Sequence, residues 1–162
     1  PRVFHEACKS GVEGIVSKRG DGAYPVGRTK EWLKIRCGKR QELVVVGFTD
    51  PKGSRAGIGA LLLGVYDDGK LRYAGKVGTG FSTRTLEELR ERLEPLGVDR
   101  PPVVGAPRVR GQHWTRPELV AEIGFTEWTR DGRVRHPTFL GLREDKPARK
   151  AVRERPVETS RR

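Results

Sequence analysis

The sequence predicts a mainly β fold that contains one helix, and three observations support this prediction. Runs rich in Val and Ile, such as "LVVV" at 43–46, recur between glycine-rich turns, as is typical of short strands. The pair Asp68-Gly69 lies between two such runs, which predicts a tight β-hairpin. The stretch 82–97 repeats leucine at helical spacing instead, which predicts a helix.

The first forty residues are predicted to contain two strands, "EGIVSK" at 13–18 and "WLKIRC" at 32–37. In the second strand apolar and cationic residues alternate, so Lys34 and Arg36 share one face. Two adjacent cations on one strand repel each other, and an anion between them would offset that repulsion. The polar run "GKRQ" at 38–41 predicts a domain boundary.

A second pattern begins after this boundary. Residues 42–49 predict a first strand, and the hairpin described above supplies two more. Ser82 or Thr83 can cap the helix, and acidic residues crowd its first half. The predicted apolar stripe of the helix consists of Leu86, Leu89 and Leu93.

The last part of the pattern is a proline-rich loop at 98–112 followed by a second hairpin. Residues 119–129 and 134–143 are its predicted strands, joined around "DGR". A five-stranded barrel with a helix between strands three and four is the OB-fold, a common nucleic-acid binder. We therefore predict an OB-fold barrel.

Charge and composition narrow the function further. The net charge is +12 with a pI near 10.3, which favours a polyanionic partner such as nucleic acid. Lys and Arg outnumber Asp and Glu ten to four in residues 1–40 and eight to four in residues 143–162, but only fifteen to thirteen between them. No apolar run approaches a membrane span, there is no signal-peptide pattern, and the absence of Met predicts a fragment or processed chain.

Three short motifs carry a specific resemblance. "EGIVSK" and "WLKIRC" resemble motifs IV and V of the covalent nucleotidyltransferases, and "FLGLREDKP" at 139–147 resembles motif VI. The residues of these motifs are similar to those of ATP-dependent DNA ligases of the bacterial end-joining type, ligase D. The resemblance implies that residues 1–40 end an adenylation (nucleotidyltransferase) domain, that 41–146 form the OB-fold domain, and that 147–162 are a charged, flexible tail.

The resemblance also implies a reaction and its participants. Such a ligase attaches AMP from ATP to a lysine, moves it to the 5′-phosphate at a DNA nick, and then joins that end to the 3′-hydroxyl. The implied cofactors are ATP and Mg²⁺ or Mn²⁺. The implied partners are double-stranded DNA with nicks or ends and a Ku-like end-binding protein, with no membrane, in the bacterial cytoplasm at the nucleoid.

By the same resemblance, Glu13 would hold the divalent metal, and Lys34 and Arg36 would face the nucleotide phosphates with Lys18 nearby. Carboxylate oxygen suits hard Mg²⁺. Family members often carry Lys at both motif V positions, so Arg36 would present a planar fork in place of a point charge. The competing interpretation is a surface Glu and a solvated sheet face.

Arg143, Asp145 and Lys146 are the motif VI candidates, which would orient the β- and γ-phosphates of ATP so that pyrophosphate can leave. The competing interpretation is the start of a disordered basic tail. Seven further basic residues could follow a DNA backbone without sequence specificity. These are Lys52, Arg55, Lys76, Arg84, Arg108, Arg110 and Arg116.

The nucleophile of the family, the Lys of a Lys-x-Asp-Gly motif, does not occur in the chain, so the chain alone is not expected to adenylate itself. Two alternatives stay open: a non-catalytic OB-fold module that binds single strands, and an RNA ligase or capping-type nucleotidyltransferase. The remaining metal- and base-binding residue types are interpreted as structural. They are Cys8, Cys37, His5, His113, His136, Trp114 and Trp128.

Overall fold

A computed structural model describes residue 6, residues 14–18, 32–36 and 38–154. Two compact units divide the chain, Pro1–Gly38 and Lys39–Arg162. The first unit contains the strands β1 (Gly14–Lys18) and β2 (Trp32–Arg36), which pair antiparallel. That the first unit ends an adenylation domain stays a prediction.

The second unit is built on one mainly antiparallel sheet, as predicted. Its strands are β3 (Lys39–Thr49), β4 (Leu61–Asp67), β5 (Lys70–Val77), β6 (Gly97–Val98), β7 (Gln112–Thr115), β8 (Val120–Phe125) and β11 (Thr138–Leu142). Five of them follow the order β11-β8-β3-β4-β5, which keeps the predicted chain order of three strands and then two. A hydrogen bond from the Phe139 amide to the Thr79 carbonyl, two residues after β5, connects the two ends of this path.

The predicted helix is confirmed as α1 (Thr83–Leu93), followed by a 3-10 turn over Glu94–Leu96. Ser82 is its N-cap, because the Ser82 hydroxyl accepts a hydrogen bond from the Thr85 amide. The predicted apolar stripe is buried: Leu86, Leu89 and Leu93. The 68–69 hairpin is confirmed as well, since Asp68 and Gly69 both have the positive φ that a tight turn requires.

Two predictions about strand limits were wrong. The first strand was predicted to begin at residue 42, whereas β3 begins at Lys39 and pairs with β8 from there. The chain divides between Gly38 and Lys39, within the predicted boundary run at 38–41. The predicted 98–112 loop also runs directly into an unpredicted strand, β7, which pairs with β3 and β6. Gly47 makes room for β7, since a Cβ at that position would lie 2.3 Å from the His113 carbonyl oxygen.

The second predicted hairpin, residues 119–143, is confirmed, but each of its two sides is divided into two strands. β8 pairs with β11, and two short strands, β9 (Glu127–Trp128) and β10 (Val134–Arg135), close the hairpin around residues 131–133. Trp128 packs against the cluster under α1, and Trp114 packs on the opposite side of the sheet, so both tryptophans are packing residues as predicted.

The main sheet is buried on both faces. On the helix face, alternate residues such as Leu43 and Val45 pack against the leucines of α1. On the opposite face, Val44 and Val46 pack beneath irregular chain that includes Val103 and Ala151. We call this second side the segment face. Glu42 has the same alternation as Val44, which places it on the segment face at the start of β3.

The prediction of a flexible tail from residue 147 was wrong for the C-terminal segment, residues 147–154. Ala151 is 1% exposed, and residues 148–150 form a 3-10 turn. The β3–β4 ladder ends at Val44–Gly64, and beyond it Tyr66 pairs with Val152 instead. The C-terminal segment therefore continues the sheet where β3 and β4 stop pairing.

Within the described ranges, no helix is long and apolar enough to cross a membrane. Residues 155–162 lie outside the described part of the chain, and so do Cys8, Cys37 and His5. His113 contacts Asp50 through Nε2 at 2.7 Å and stacks on Phe48, which is a structural role.

Candidate functional site

The predicted site residues of motifs IV and V fall mostly outside the described residues. Glu13 is not described, and neither are the side chains of Lys18, Lys34 and Arg36. The β1–β2 register is described: Lys34 lies opposite Val16, and Arg36 lies opposite Gly14. The predicted spacing of motifs IV and V therefore corresponds to two paired strands, and the roles of these side chains stay predictions.

The motif VI residues form a compact group with one residue that the sequence analysis did not select. Arg143 Nη1 lies 3.1 Å from Glu42 Oε1, and Lys146 Nζ lies 3.1 Å from Glu42 Oε2. Arg143 also donates from Nε and Nη2 to the two carboxylate oxygens of Asp145, at 3.1 Å each. We call Glu42, Arg143, Asp145 and Lys146 the Glu42 cluster.

Regular backbone holds this cluster in place. Glu42 belongs to β3 and lies opposite Glu122 of β8, while Arg143 follows β11 directly and donates its amide to the Val120 carbonyl at 2.8 Å. Like charges opposite each other on neighbouring strands destabilise a sheet. Here Arg40 pairs with Glu122 at 3.4 Å, and the two motif VI cations pair with Glu42.

These contacts shift the pKa values of Glu42, Asp145 and Arg143. The hydrogen bond from Lys146 lowers the pKa of Glu42, although partial burial opposes the shift. The hydrogen bond from Arg143 likewise lowers the pKa of Asp145, and Asp145 raises the pKa of Arg143. Each of these shifts favours the charged form of Glu42, Asp145 and Arg143.

The exposure of the side chains shows what the cluster can contact. The Glu42 side chain is 18% exposed, whereas Arg143 and Lys146 are 35% and 28% exposed. The acid thus lies beneath two half-buried cations that keep donors free for an incoming group. Asp145 occupies the Nε–Nη2 side of the Arg143 guanidinium and Glu42 accepts from Nη1. The N–H groups left for an incoming anion are therefore the second ones on Nη1 and Nη2 and the remaining two on Lys146.

The seven predicted DNA-backbone residues divide into two groups. Arg55 donates from both terminal nitrogens to the Gly78 carbonyl, Arg84 pairs with Glu88, and Arg116 pairs with Glu118. The remaining four are exposed and form no ion pair within the described part of the chain. These are Lys52, Lys76, Arg108 and Arg110.

Two of those four line a shallow cleft of about 330 Å³ on the segment face. Arg108 and Arg110 form its rim together with Pro101 and Pro107, and Trp114 is part of its lining. Two exposed cations beside an aromatic ring suit contact with a nucleic-acid backbone, without any base selectivity.

No group of three metal-ligating side chains occurs among the described residues. The described residues therefore do not by themselves fit a resident metal, and the predicted ligand, Glu13, lies outside them.

The sequence analysis did not select two positions that make long-range side-chain contacts, Gln41 and Glu42. Gln41 is 4% exposed, and its side-chain amide donates to the Val152 carbonyl and accepts from the Glu154 amide, at 2.9 and 3.4 Å. A polar pair at the start of an apolar strand was the available clue. The residues that Gln41 and Glu42 contact lie more than one hundred positions later in the chain, so no local sequence pattern could identify these contacts.

Comparisons with known proteins were made after this geometry was established. The model of the family described as "ATP dependent DNA ligase C terminal region" matches residues 54–146. The multifunctional non-homologous end joining protein LigD of Pseudomonas aeruginosa is 49% identical over 96% of this chain and 19% of its own length. LigD of Mycobacterium tuberculosis is 41% identical over 94% of this chain and 21% of its own length.

Solved structures agree with these matches. The crystal structure of the ligase domain from M. tuberculosis LigD has a TM-score of 0.68 and 40% identity, covering 94% of this chain and 51% of that chain. A mycobacterial DNA ligase D complexed with ATP and MES gives a TM-score of 0.65 at 39% identity, covering 94% and 50%. The chain thus spans about a fifth of the curated relatives and half of these ligase structures.

Proposed function

Because the chain belongs to the ATP-dependent DNA ligases, through their C-terminal region, we propose that it is the C-terminal part of a ligase that seals DNA through lysyl-AMP and DNA-adenylate intermediates. The relatives named for non-homologous end joining support a role in joining broken ends. In this proposal the nucleophilic lysine lies in the remainder of the protein, since no Lys-x-Asp-Gly motif occurs here.

The Glu42 cluster is the single observation that carries this proposal. All three reaction steps move charge among phosphates, so catalysis depends mainly on positioning and on electrostatic stabilisation. In our proposal Arg143 and Lys146 contact the β- and γ-phosphates of ATP, and Asp145 orients the Arg143 guanidinium. The pyrophosphate is thereby held in line to leave.

Motifs IV and V complete the proposed site. Lys34 and Arg36, with Lys18, would contact the AMP phosphate, and Glu13 would supply an oxygen ligand to Mg²⁺ or Mn²⁺. The metal would add positive charge at the reacting phosphate. The exposed cations Lys52, Lys76, Arg108 and Arg110 would contact the DNA backbone.

The same proposal names a setting. The complete protein would act on nicked or broken double-stranded DNA in the bacterial cytoplasm, at the nucleoid. A Ku-like protein that holds DNA ends would be its partner. Nicked RNA offers the matched substrate, and sealing of RNA in preference to DNA would overturn the choice of substrate.

Changing Arg143 and Lys146 to Ala in the complete ligase tests the site. We expect lysine adenylation from ATP to slow by about 10²–10³-fold, the usual effect of removing a preorganised charge contact. Sealing of a nick that already carries AMP should change much less, because that step contains no pyrophosphate. Lys34→Ala is the contrasting variant and should impair both assays, since the AMP phosphate takes part in every step. Equal losses in both assays for the motif VI variant would contradict the assignment.

Binding of this chain to nicked duplex DNA should depend steeply on salt and not on sequence. Each phosphate that a cation neutralises releases counterions, so affinity falls as a power of the salt concentration. The double change Arg108→Ala and Arg110→Ala should reduce the slope by about 2 in a logarithmic plot from fluorescence anisotropy. Binding that survives a large increase in salt would contradict the proposal.

A further inference from the structure

The contacts of Glu42 lead beyond the motif residues themselves. Its two carboxylate oxygens are divided between the two motif VI cations: Oε1 accepts from Arg143, and Oε2 accepts from Lys146, each at 3.1 Å. The cations are three residues apart in the chain, and each has several rotatable bonds. One carboxylate that contacts both therefore fixes the spacing between a guanidinium and an ammonium group.

Glu42 is itself held firmly. It lies within the β3–β8 ladder, between Gln41, which is 4% exposed, and Leu43, which is fully buried. Its lowered pKa keeps the carboxylate charged at the pH of the cell. A rigid, charged group beneath two more exposed cations is the arrangement expected of a residue that orients the groups contacting a substrate.

We infer that Glu42 is a positioning residue, which sets Arg143 and Lys146 as one preorganised pair of cations for the leaving pyrophosphate. This inference rests on the proposed function, because it assigns Glu42 a role in the adenylation step. Glu42 does not contact the nucleotide; it acts through the two cations. The negative charge of Glu42 also offsets part of the repulsion between the two cations.

The ladder offers a matched control. Glu122 lies directly opposite Glu42, on the neighbouring strand, but pairs with Arg40 instead of the motif VI cations. Glu122→Gln removes the same charge from almost the same place in the sheet. Glu42→Gln removes the charge that contacts both cations, and its amide nitrogen cannot accept from either of them.

The test uses the complete ligase and three measurements: lysine adenylation by ATP, reversal of the adenylated enzyme by inorganic pyrophosphate, and sealing of a preadenylated nick. For Glu42→Gln we expect adenylation to slow by about 10–100-fold, as is usual when the partner of a site residue is removed. The pyrophosphate concentration for half-maximal reversal should rise by a similar factor. Sealing should change less than about threefold, and Glu122→Gln should leave all three measurements within that range.

Each outcome decides the question. A proportional loss in adenylation and sealing would mean that Glu42 only supports the fold and would overturn the inference, as would normal adenylation by Glu42→Gln. If that variant melts below the control, Glu42→Asp carries the test. Asp keeps the charge but reaches less far, so we expect adenylation between that of the wild type and Glu42→Gln. A wild-type protein that neither adenylates nor seals would instead overturn the proposed function, and the inference with it.

Discussion

The two faces of the main sheet are covered in different ways. Regular structure covers the helix face: three leucines of α1 share one buried cluster with apolar residues from six strands. Irregular chain covers the segment face, namely the loop around Val103 and the C-terminal segment. The Glu42 cluster lies on this second side, where β3 begins.

The helix face therefore contributes mainly to stability, whereas the segment face carries the charged residues of the candidate site. The helix face excludes water with apolar side chains alone, so its contribution comes from burial and close packing. The segment face combines a smaller apolar cluster with the charged side chain of Glu42, which contacts Arg143 and Lys146, more than one hundred residues away. Substitutions on the two faces should therefore differ in size and in the property that they change.

The largest effect on stability is expected on the helix face. Leu89 is 1% exposed, so Leu89→Ala should lower the free energy of unfolding by about 2–5 kcal/mol through lost burial and a cavity. Urea denaturation of residues 39–162 measures it. Leu140, which is 44% exposed, provides the control, and Leu140→Ala should change stability by less than about 0.5 kcal/mol. An equal loss of unfolding free energy in Leu89→Ala and Leu140→Ala would contradict the expectation that the helix face contributes more to stability than the exposed surface.

A smaller effect is expected where the C-terminal segment depends on the buried amide of Gln41. Gln41→Ala leaves the Val152 carbonyl and the Glu154 amide without their partner and should cost about 1–3 kcal/mol. The amide of Arg153, which donates to the Tyr66 carbonyl, should exchange faster with solvent in this variant. Gln112→Ala breaks an exposed bond to the Val109 amide and serves as the comparison. If amide exchange at Arg153 stays unchanged, the C-terminal segment does not depend on Gln41.

The smallest effect is expected from the ion pairs of Glu42, and it depends on pH. The pKa of Glu42 is lowered in the folded state, so the unfolded state binds a proton more readily. The stabilisation is complete above the unfolded pKa of about 4.3 and is lost as pH falls through the lower folded value. Glu42→Gln should therefore cost about 1 kcal/mol at neutral pH. The difference in stability between the two proteins should shrink on acidification, and a difference that stays unchanged as the pH falls below about 4.3 would contradict this account.

Local patterns predicted the helix face well. The Ser82 cap and the leucine spacing depend on residues within one or two turns, and the Asp68-Gly69 turn on adjacent residues. Such signals can be read along the chain without knowledge of its tertiary contacts. The mainly β character and the order of strands around α1 followed from them.

The segment face could not be predicted in the same way. β7 consists of four residues whose pairing depends on the absence of a side chain at Gly47, far away in the sequence. The C-terminal segment is rich in charged residues, which predicted a flexible tail. Its packing depends on one small residue, Ala151, which is buried. Arg143 and Lys146 were selected through the resemblance, whereas Glu42, 101 residues from Arg143, became visible only when the chain was folded.

The attachments of the motif VI stretch have a mechanical consequence. Glu144 pairs with Arg92 of α1, the flanking cations contact β3, and residues 151–153 bond to Tyr66 of β4. The stretch is thereby tied to one helix and two strands. Arg143 is therefore held by the same sheet that forms the core of residues 39–154.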